Sequence, residues 1–406
     1  MDSRIVYFSA PAHGHIRMTL PVMKELVRRG ARVDYYSTGQ FRRHIEETGA
    51  VYHDYGERLV PPSGAGPFKT PDTTVDFLIE CTRAFLEDHL EPVRALAPTC
   101  VMHDSFAPWG QYVAQSLNVP EIGSVSAILV NFQMIMGAAT GVPGVPEMSR
   151  RIAGKLGGWY TAISALNRTY SVPGVQNAFL MMEALGEINI IYTSRAYQPL
   201  AETFSEERYK FVGPTMAPVL EAPFPFDALD GRPIVYITQG TVYTDRTPFF
   251  RSCIEAFRDC PWQVVMAVGQ DLDGMDLGPW PDDFIVLPFV PQAQILKRSA
   301  LFIMHGGTTS VSDSLWHGVP MLVAPSGADQ YWNADRIAQL GAGQNLAGLE
   351  LTPELLRQRA GQVLADPSYA AAAARLGDTL RAAGGAPRAA DEIEAFLRRK
   401  AQVAAA

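Results

Sequence analysis

Short runs rich in β-branched and aromatic residues alternate along the first half of the chain with longer segments of helical periodicity. The runs lie at residues 4–9, 33–37, 99–103 and 188–193, and each predicts a β-strand. The intervening segments carry apolar residues on one face, which predicts helices. Because a helix that joins two strands of one sheet makes a right-handed crossover between parallel strands, this pattern predicts an α/β domain.

The second half of the chain repeats this alternation. Runs at residues 234–238, 263–268 and 284–287 predict strands, and a helix is predicted near residues 248–257. A proline-containing stretch with few periodic positions separates the two series and predicts a linker. The predicted organisation is a first domain at residues 1–214, a linker at 215–231, a second domain at 232–385 and a C-terminal helix at 386–406.

Composition places the chain among ordinary globular proteins. Its 406 residues, of which 47% are hydrophobic and 19% charged, suffice for two domains of typical size. A formal charge of -8 argues against nucleic acid as a partner. The four cysteines lack a metal-binding spacing, so we expect reduced thiols. No apolar segment reaches the roughly 18 residues that a membrane span needs, and we expect no membrane insertion and a cytoplasmic location.

The stretch from residue 289 to residue 330 carries the densest chemistry. An apolar run at 300–304 leads into a glycine-rich turn at 305–310, a short helical segment and a second apolar run at 321–324. This order predicts a βαβ unit whose helix N-terminus offers unpaired amides to a diphosphate. The alternative is a tight turn that uses glycine for geometry alone, but the polar residues around this one favour a nucleotide site.

Those polar residues flank the turn on both sides. Asp313 lies one helical turn into the helix, where a carboxylate can accept hydrogen bonds from ribose hydroxyls. Phe289 and Gln292 precede the first apolar run and are placed to meet a base and a sugar. Asp329 and Gln330 follow the second run and suit the hydroxyl groups of a hexose. The stretch therefore predicts a nucleotide diphosphate sugar as ligand.

A second group of chemically active residues belongs to the first domain. His13 and His15 lie in the turn after the first predicted strand, and Asp104 follows the strand predicted at residues 99–103. The carboxyl ends of parallel strands meet at one edge of a sheet, so we expect these side chains to share a rim. A histidine that titrates near pH 6.5 suits a general base, and a carboxylate beside it sets its tautomer.

Together these motifs resemble the donor signature of UDP-dependent glycosyltransferases with the GT-B fold, in particular bacterial macrolide and natural-product glucosyltransferases. Gly14-His15 and Asp104 in the first half extend the resemblance over nearly the whole chain. The donor signature consists of Pro291-Gln292, His305-Gly306-Gly307, Ser310, Gly318-Val319-Pro320 and Asp329-Gln330. So long an ordered signature is far more specific than a lone glycine motif.

The resemblance implies two Rossmann-like domains with parallel sheets facing a central cleft, the first binding the acceptor and the second the donor. It implies an inverting transfer without metal or other cofactor, with His15 as the base and Asp104 as the residue that orients it. His13 is the competing base but lacks the family match. The implied donor-binding residues are Thr241, Phe289, Val290, Gln292, His305, Gly307, Thr308, Thr309, Ser310, Asp313, Asp329 and Gln330.

Methionine and aromatic residues suggest where the acceptor binds. They are concentrated between residues 126 and 185, where they are either the core of a helical region or the wall of an apolar pocket. The candidate pocket residues are Trp109, Phe132, Met134 and Met136. The acceptor we expect is therefore an apolar small molecule.

The predicted function is the transfer of a hexose, most simply glucose from UDP-glucose, to a hydroxyl of a macrolide, polyketide or flavonoid. A lipid or cell-wall precursor is the alternative acceptor. A catalytically silent nucleotide-sugar-binding partner is the alternative class, against which the presence of both His15 and Asp104 argues. Nothing in the sequence indicates an oligomeric state.

Overall fold

A computed structural model describes residues 3–59, 70–130, 134, 145–172, 184–215, 223–240, 246–269, 272–327 and 329–405. The chain divides into two units. Unit 1 comprises Met1–Ala217 together with Ala383–Ala406, and unit 2 comprises Pro218–Ala382. Each unit is built around its own parallel sheet.

The described strands of unit 1 pair in the order β3-β2-β1-β4-β5-β6-β7, and those of unit 2 in the order β10-β9-β8-β11-β12-β13. The strands are β1 (Arg4–Phe8), β2 (Arg32–Ser37), β3 (Val51–Asp54), β4 (Cys100–Asp104), β5 (Glu121–Val125), β6 (Ile188–Ile191), β7 (Tyr209–Phe211), β8 (Ile234–Thr238), β9 (Gln263–Ala267), β10 (Ile285–Leu287), β11 (Ser299–Met304), β12 (Met321–Val323) and β13 (Gly343–Asn345).

Helices cover the faces of the two sheets. They are α1 (His13–Arg28), α2 (Arg42–Glu46), α3 (Pro71–Ala95), α4 (Trp109–Leu117), α5 (Val145–Thr169), α6 (Thr247–Phe257), α7 (Gln292–Leu296), α8 (Thr308–Trp316), α9 (Gln330–Gln339), α10 (Pro353–Ala365), α11 (Pro367–Ala382) and α12 (Gly385–Ala405). Helix α12 returns to unit 1, where it packs against α1.

The strand order reverses once in each sheet. In unit 1 the reversal falls between β1 and β4, and in unit 2 between β8 and β11. The loops that follow the two strands on either side of a reversal diverge, which leaves a crevice at the carboxyl edge where ligands of such sheets bind. The topology therefore marks the ends of β1 and β4, and of β8 and β11, as the places to look for a site.

Unit 1 has a hydrophobic core on each face of its sheet. Neighbouring strand residues point to opposite faces, so Phe8 packs with Phe85 on one side and Tyr7 packs with Met23 on the other. Ile393 of α12 belongs to the second core. An ion pair between Arg29 Nη1 and Asp391 Oδ1, 2.7 Å apart, adds a polar contact between α1 and α12.

Several elements of the fold were not predicted. Strand β5 has the sequence Glu-Ile-Gly-Ser-Val, which lacks the run of branched and aromatic residues typical of strands, yet it lies buried between β4 and β6. Strand β13 is equally polar, and β3 and α4 were also missed. Pairing with neighbouring strands, more than local propensity, determines that β3, β5 and β13 form strands.

Gly377 of α11 permits close packing against α8. A Cβ atom added at Gly377 would lie well inside van der Waals contact with the backbone carbonyl oxygen of Leu315. The backbone of a helix cannot shift as easily as a flexible side chain, so the added atom would be strained. We expect Gly377→Ala to lower the free energy of unfolding by about 1–3 kcal/mol through overpacking. Urea denaturation followed by circular dichroism measures this change.

Gly361 of α10 provides the matched control. It is also a helical glycine, but an added Cβ meets nothing within 4 Å. Gly361→Ala should stabilise the protein by up to about 1 kcal/mol, since alanine is the better helix former. Equal effects of the two substitutions would show that close packing at Gly377 is not a constraint.

Candidate active site

His15 and Asp104 are in direct contact in unit 1. His15 lies in the first turn of α1, after β1, and Asp104 is the last residue of the neighbouring strand β4. Nδ1 of His15 lies 2.9 Å from Oδ2 of Asp104 and 3.0 Å from Oδ1. The carboxylate is wholly removed from solvent, whereas the imidazole keeps 24% of its side-chain exposure. The strand reversal thus brings the two predicted residues together.

Two further groups hold this pair. The backbone N–H of Phe106 donates to Oδ1 of Asp104 at 2.8 Å, and the Phe106 ring packs edge-on against His15 with 5.5 Å between centroids. Oγ of Ser126, the residue after β5, lies 2.7 Å from Nδ1 of His15. The imidazole is therefore positioned from three sides.

The contact with Asp104 selects the tautomer of His15. A carboxylate can only accept hydrogen bonds, so the shared proton resides on Nδ1 of the imidazole. Nε2 then carries the lone pair and can take a proton from a substrate hydroxyl. The arrangement is chemically suited to general-base catalysis, with a carboxylate that orients the imidazole.

Buried phenols lie behind the pair. Burial raises the pKa of Tyr7, Tyr35 and Tyr192, and the nearby charge of Asp104 adds to each shift. The hydroxyl groups of Tyr192 and Ser124 share a hydrogen bond of 3.1 Å. These phenols therefore stay neutral at ordinary pH.

His13, the competing base, begins α1. Its ring packs edge-on against Phe41, with 5.0 Å between centroids. Of the two histidines, His15 is the one that contacts the Asp104 carboxylate, so the geometry favours His15 for proton transfer.

In unit 2, the glycine-rich turn connects β11 to α8. Gly306 has a φ of +92°, and a Cβ atom there would lie 2.7 Å from Cγ1 of Val323, so the position needs glycine for both conformation and space. Helix α8 begins at Thr308. The amides of its first turn have no partner inside the helix, and together with the helix dipole they form an anion site.

His305 is packed into this turn between two glycines. A Cβ atom at Gly240 or at Gly307 would come within 2.7 Å of its Nε2. Its Nδ1 is buried and has no hydrogen-bond partner among the residues that the structure describes. Burial, helped by the charge of Arg246, lowers the pKa of His305 to about 4. The ring is therefore neutral near pH 7 and can act only as a hydrogen-bonding group.

Internal hydrogen bonds fix the shape of the turn. Nδ2 of Asn333, a fully buried residue of α9, donates to the Gly306 carbonyl at 2.8 Å and lies 3.0 Å from Oγ1 of Thr308. Thr308 in turn donates to Oδ2 of Asp329 at 2.8 Å. The hydroxyl of Thr308 is thus used within the protein, which leaves its backbone amide as the group that can face a phosphate.

Gln292 and Asp313 are likewise brought together. Nε2 of Gln292 donates to Oδ2 of Asp313 at 2.7 Å, and Oε1 of Gln292 accepts from the hydroxyl of Tyr236 at 3.3 Å. Asp313 is 2% exposed, whereas Phe289 is 43% exposed. The half-buried Gln292 is therefore the more accessible member of this pair and Asp313 holds its amide in place, while the Phe289 ring is open to stacking.

Other predicted residues have different surroundings. Oε1 of Gln330 accepts hydrogen bonds from the backbone N–H groups of Ser326 and Gly327, at 2.8 and 3.2 Å, so it holds the loop before α9.

Trp109 is 3% exposed and stacks on Phe85, which favours a role in the core over contact with an acceptor. Met134 is also buried; Val290, Thr309 and Ser310 are half-buried; Thr241, Phe132 and Met136 lie outside the described residues.

Sequence reasoning missed Ser126, Asn333 and Arg246. Ser126 follows a strand that was itself not predicted, and Asn333 lies one helical turn after Asp329, a spacing that could have drawn attention to it. Arg246 comes just before α6 and donates to the carbonyl of Gly240 in the loop beside His305. It adds a cation next to the anion site.

Among the described residues, no group of three or more His, Cys, Asp or Glu side chains is arranged to hold a metal ion. No helix in the described part of the chain is long and apolar enough to cross a membrane.

Known proteins resemble this chain over nearly its full length. The family described as erythromycin biosynthesis protein CIII-like, C-terminal domain, matches residues 254–395. The uncharacterized UDP-glucosyltransferase YojK of Bacillus subtilis is 32% identical, with 99% of each chain covered. Demethyllactenocin mycarosyltransferase of Streptomyces fradiae is also 32% identical, covering 97% of this chain and 87% of that protein. The crystal structure of CalG4, the calicheamicin glycosyltransferase, is 26% identical with a TM-score of 0.77, covering 98% and 99%.

The low pKa of His305 predicts a pH dependence of stability. In the unfolded chain the imidazole takes up a proton near pH 6.5, whereas the folded protein resists protonation down to about pH 4. The free energy of unfolding should therefore fall as the pH is lowered through this window, by up to about 1.4 kcal/mol per pH unit from this residue.

His305→Asn isolates this contribution because asparagine does not titrate. The difference in unfolding free energy between the native protein and the variant, measured by urea denaturation from pH 8 to pH 4, should shrink as the pH falls. Parallel curves for the two proteins would contradict the buried, neutral state of His305.

Proposed function

This chain belongs to the family of nucleotide-sugar-dependent glycosyltransferases that includes macrolide glycosyltransferases, and we propose that it moves glucose from UDP-glucose to a hydroxyl of an apolar natural product. The chain is an enzyme that transfers a sugar from a nucleotide diphosphate sugar. Its predicted GT-B fold is confirmed by the likeness to solved glycosyltransferases. The choice of glucose, the stereochemistry, the independence from metal and the residue roles form the proposal.

The contact between His15 and Asp104 carries the proposed mechanism. Nε2 of His15 accepts the proton of the acceptor hydroxyl while the oxygen forms its new bond to the anomeric carbon of the sugar. Asp104, 2.9 Å from Nδ1, stabilises the imidazolium that results. The attack takes place opposite the departing nucleotide and inverts the anomeric configuration.

The bond between the anomeric carbon and the diphosphate oxygen breaks in the same step, so UDP leaves with one added negative charge. The first turn of α8 supplies amide donors and the positive end of a helix dipole. The neutral ring of His305 adds a hydrogen-bonding group, and Arg246 adds positive charge nearby. Donors held in place before the reaction stabilise developing charge well, and on this basis we propose that no metal ion is needed.

The donor preference rests on the residues around the turn. Gln292 and Asp313 form a polar pair suited to ribose hydroxyls, and the exposed ring of Phe289 suits stacking on uracil. Asp329, tied to Thr308 at the start of α8, is near enough to the turn to meet the hexose. Several relatives are named as UDP-glucosyltransferases, which supports UDP-glucose as the donor.

An apolar acceptor is supported by the relatives and by the surroundings of His15. Two relatives are named for the natural product that they glycosylate, as demethyllactenocin mycarosyltransferase and oleandomycin glycosyltransferase. The Phe106 ring against His15 offers an apolar contact beside the base. We propose a macrolide, polyketide or flavonoid hydroxyl as the acceptor group.

A turnover assay tests the proposed reaction. Purified protein is incubated with UDP-glucose, TDP-glucose or UDP-galactose and a panel of macrolide, flavonoid and lipid acceptors, each with and without excess EDTA. We expect release of UDP and a mass increase of one hexose, greatest for UDP-glucose with a macrolide or flavonoid. The anomeric coupling constant of the product, measured by NMR, should show inversion.

Each alternative has its own signature in this assay. Loss of turnover on adding EDTA, restored by a divalent ion, would overturn the metal-free mechanism. Product formed only with the lipid acceptor would show that the enzyme acts on a lipid and not on a macrolide or flavonoid. Nucleotide-sugar binding without turnover on any acceptor would favour a silent binding partner.

Substitutions in unit 1 test the assigned base. His15→Ala should abolish most turnover because no group remains to take the hydroxyl proton, and Asp104→Asn should lower kcat by about 100-fold or more since an orienting acid acts in the transition state. Donor affinity, measured by calorimetry with UDP, should stay within about twofold for both variants because the donor residues lie in unit 2.

His13→Ala is the matched control from the same turn and should retain turnover. If His15→Ala keeps full turnover while His13→Ala loses it, His13 is the base. If both remain active, the proton leaves by another route.

A further inference from the structure

We propose that Ser126 is a positioning residue for the transfer reaction, acting through Nδ1 of His15 as a second partner beside Asp104. The inference rests on the proposed role of His15 as the base. It adds a third member, the residue that follows β5, to a pair drawn from α1 and β4.

The geometry of Ser126 carries the inference. Its Oγ lies 2.7 Å from Nδ1 of His15, closer than either oxygen of Asp104 at 2.9 and 3.0 Å. Ser126 is 5% exposed, so its hydroxyl is not a solvated surface group that meets the ring by chance. Asp104 pairs with Ser124 on β5, and Ser126 lies just past the end of that strand, beside the imidazole.

Two hydrogen-bonding patterns are possible at Nδ1. If Nδ1 carries the proton, it donates to the Asp104 carboxylate and to the Ser126 oxygen, and Nε2 is free of its proton. If Nε2 carries the proton, Nδ1 must accept from the Ser126 hydroxyl, and two lone pairs, of Nδ1 and of the carboxylate, face each other at 2.9 Å. Asp104 therefore selects the tautomer in which Nε2 is the base, and in that tautomer Ser126 is a second acceptor for the Nδ1–H.

The second oxygen matters most when the ring is charged. Once His15 has taken the substrate proton, the Nδ1–H is more acidic and its hydrogen bonds strengthen, because bonds from a charged donor exceed neutral ones. Asp104 is the charged group beside the ring, while the phenols of Tyr7, Tyr35 and Tyr192 behind it remain neutral. Removing the Ser126 hydroxyl should destabilise the protonated form of His15 relative to the neutral form. His15 then becomes a weaker base.

The test compares Ser126→Ala with the native enzyme over a range of pH, using the glucosyl acceptor with the highest turnover. We expect kcat to fall by about tenfold, as one hydrogen bond to a charged group is lost. The acid limb of the kcat profile should move to lower pH because the base becomes weaker. The KM for UDP-glucose should change by less than about twofold, since this serine acts after the donor has bound. Ser126→Thr keeps the hydroxyl and should restore the pH profile.

Ser124→Ala is the matched control. Ser124 is a buried serine of the same strand whose hydroxyl meets Tyr192 at 3.1 Å, and its removal should leave the pH profile unchanged. If both alanine variants lower kcat equally with no shift of the acid limb, the effect is structural and the inference fails. Unchanged kcat and pH profile in Ser126→Ala would overturn it as well.

A His15→Ala background separates the two proposals. Adding Ser126→Ala there should have no further effect on residual turnover, because both changes act through the same ring. An equal loss in both backgrounds would show that Ser126 acts independently of His15. Full turnover of His15→Ala alone would instead refute the assigned base, which is a different failure.

Discussion

A carboxylate that is wholly removed from water determines how the reactive edge of unit 1 is built. Asp104 sits at the end of a central strand with no exposed surface, and a buried charge is costly unless it is paired and hydrogen-bonded. The backbone amide of Phe106 and the imidazole of His15 meet that need. The requirement for partners thus orients the imidazole and makes Nδ1 the nitrogen that faces Asp104.

In unit 2, the glycine-rich turn before α8 also contains buried polar groups that need partners. The chain there must expose the amides at the start of α8 while burying the polar groups underneath them. Asn333 satisfies the Gly306 carbonyl from below, and Thr308 and Asp329 bond to each other. The turn is consequently shaped before a ligand arrives, so little of the binding energy would be spent on ordering the turn.

Prediction from the sequence succeeded where a local pattern of residues is compatible with only one structure. The central strands are apolar runs flanked by turns, and a glycine-rich segment between a strand and a helix has few other structures. Prediction failed at β5, because a strand that pairs with buried strands on both sides can contain glycine and serine. The structure places Trp109, a candidate pocket residue, against Phe85 with 3% of its surface exposed, a setting that residue type alone does not predict.

By itself the sequence determined the α/β class and the glycosyltransferase resemblance, and it predicted which residues are chemically active, because spacing and residue type are local properties of the chain. Only the tertiary structure decided which nitrogen of His15 faces Asp104, that Ser126 meets the same atom, and that Thr308 is tied to Asp329. These contacts join residues that are 21 to 111 positions apart in the chain. Such pairings depend on strand order and register, which no local pattern specifies.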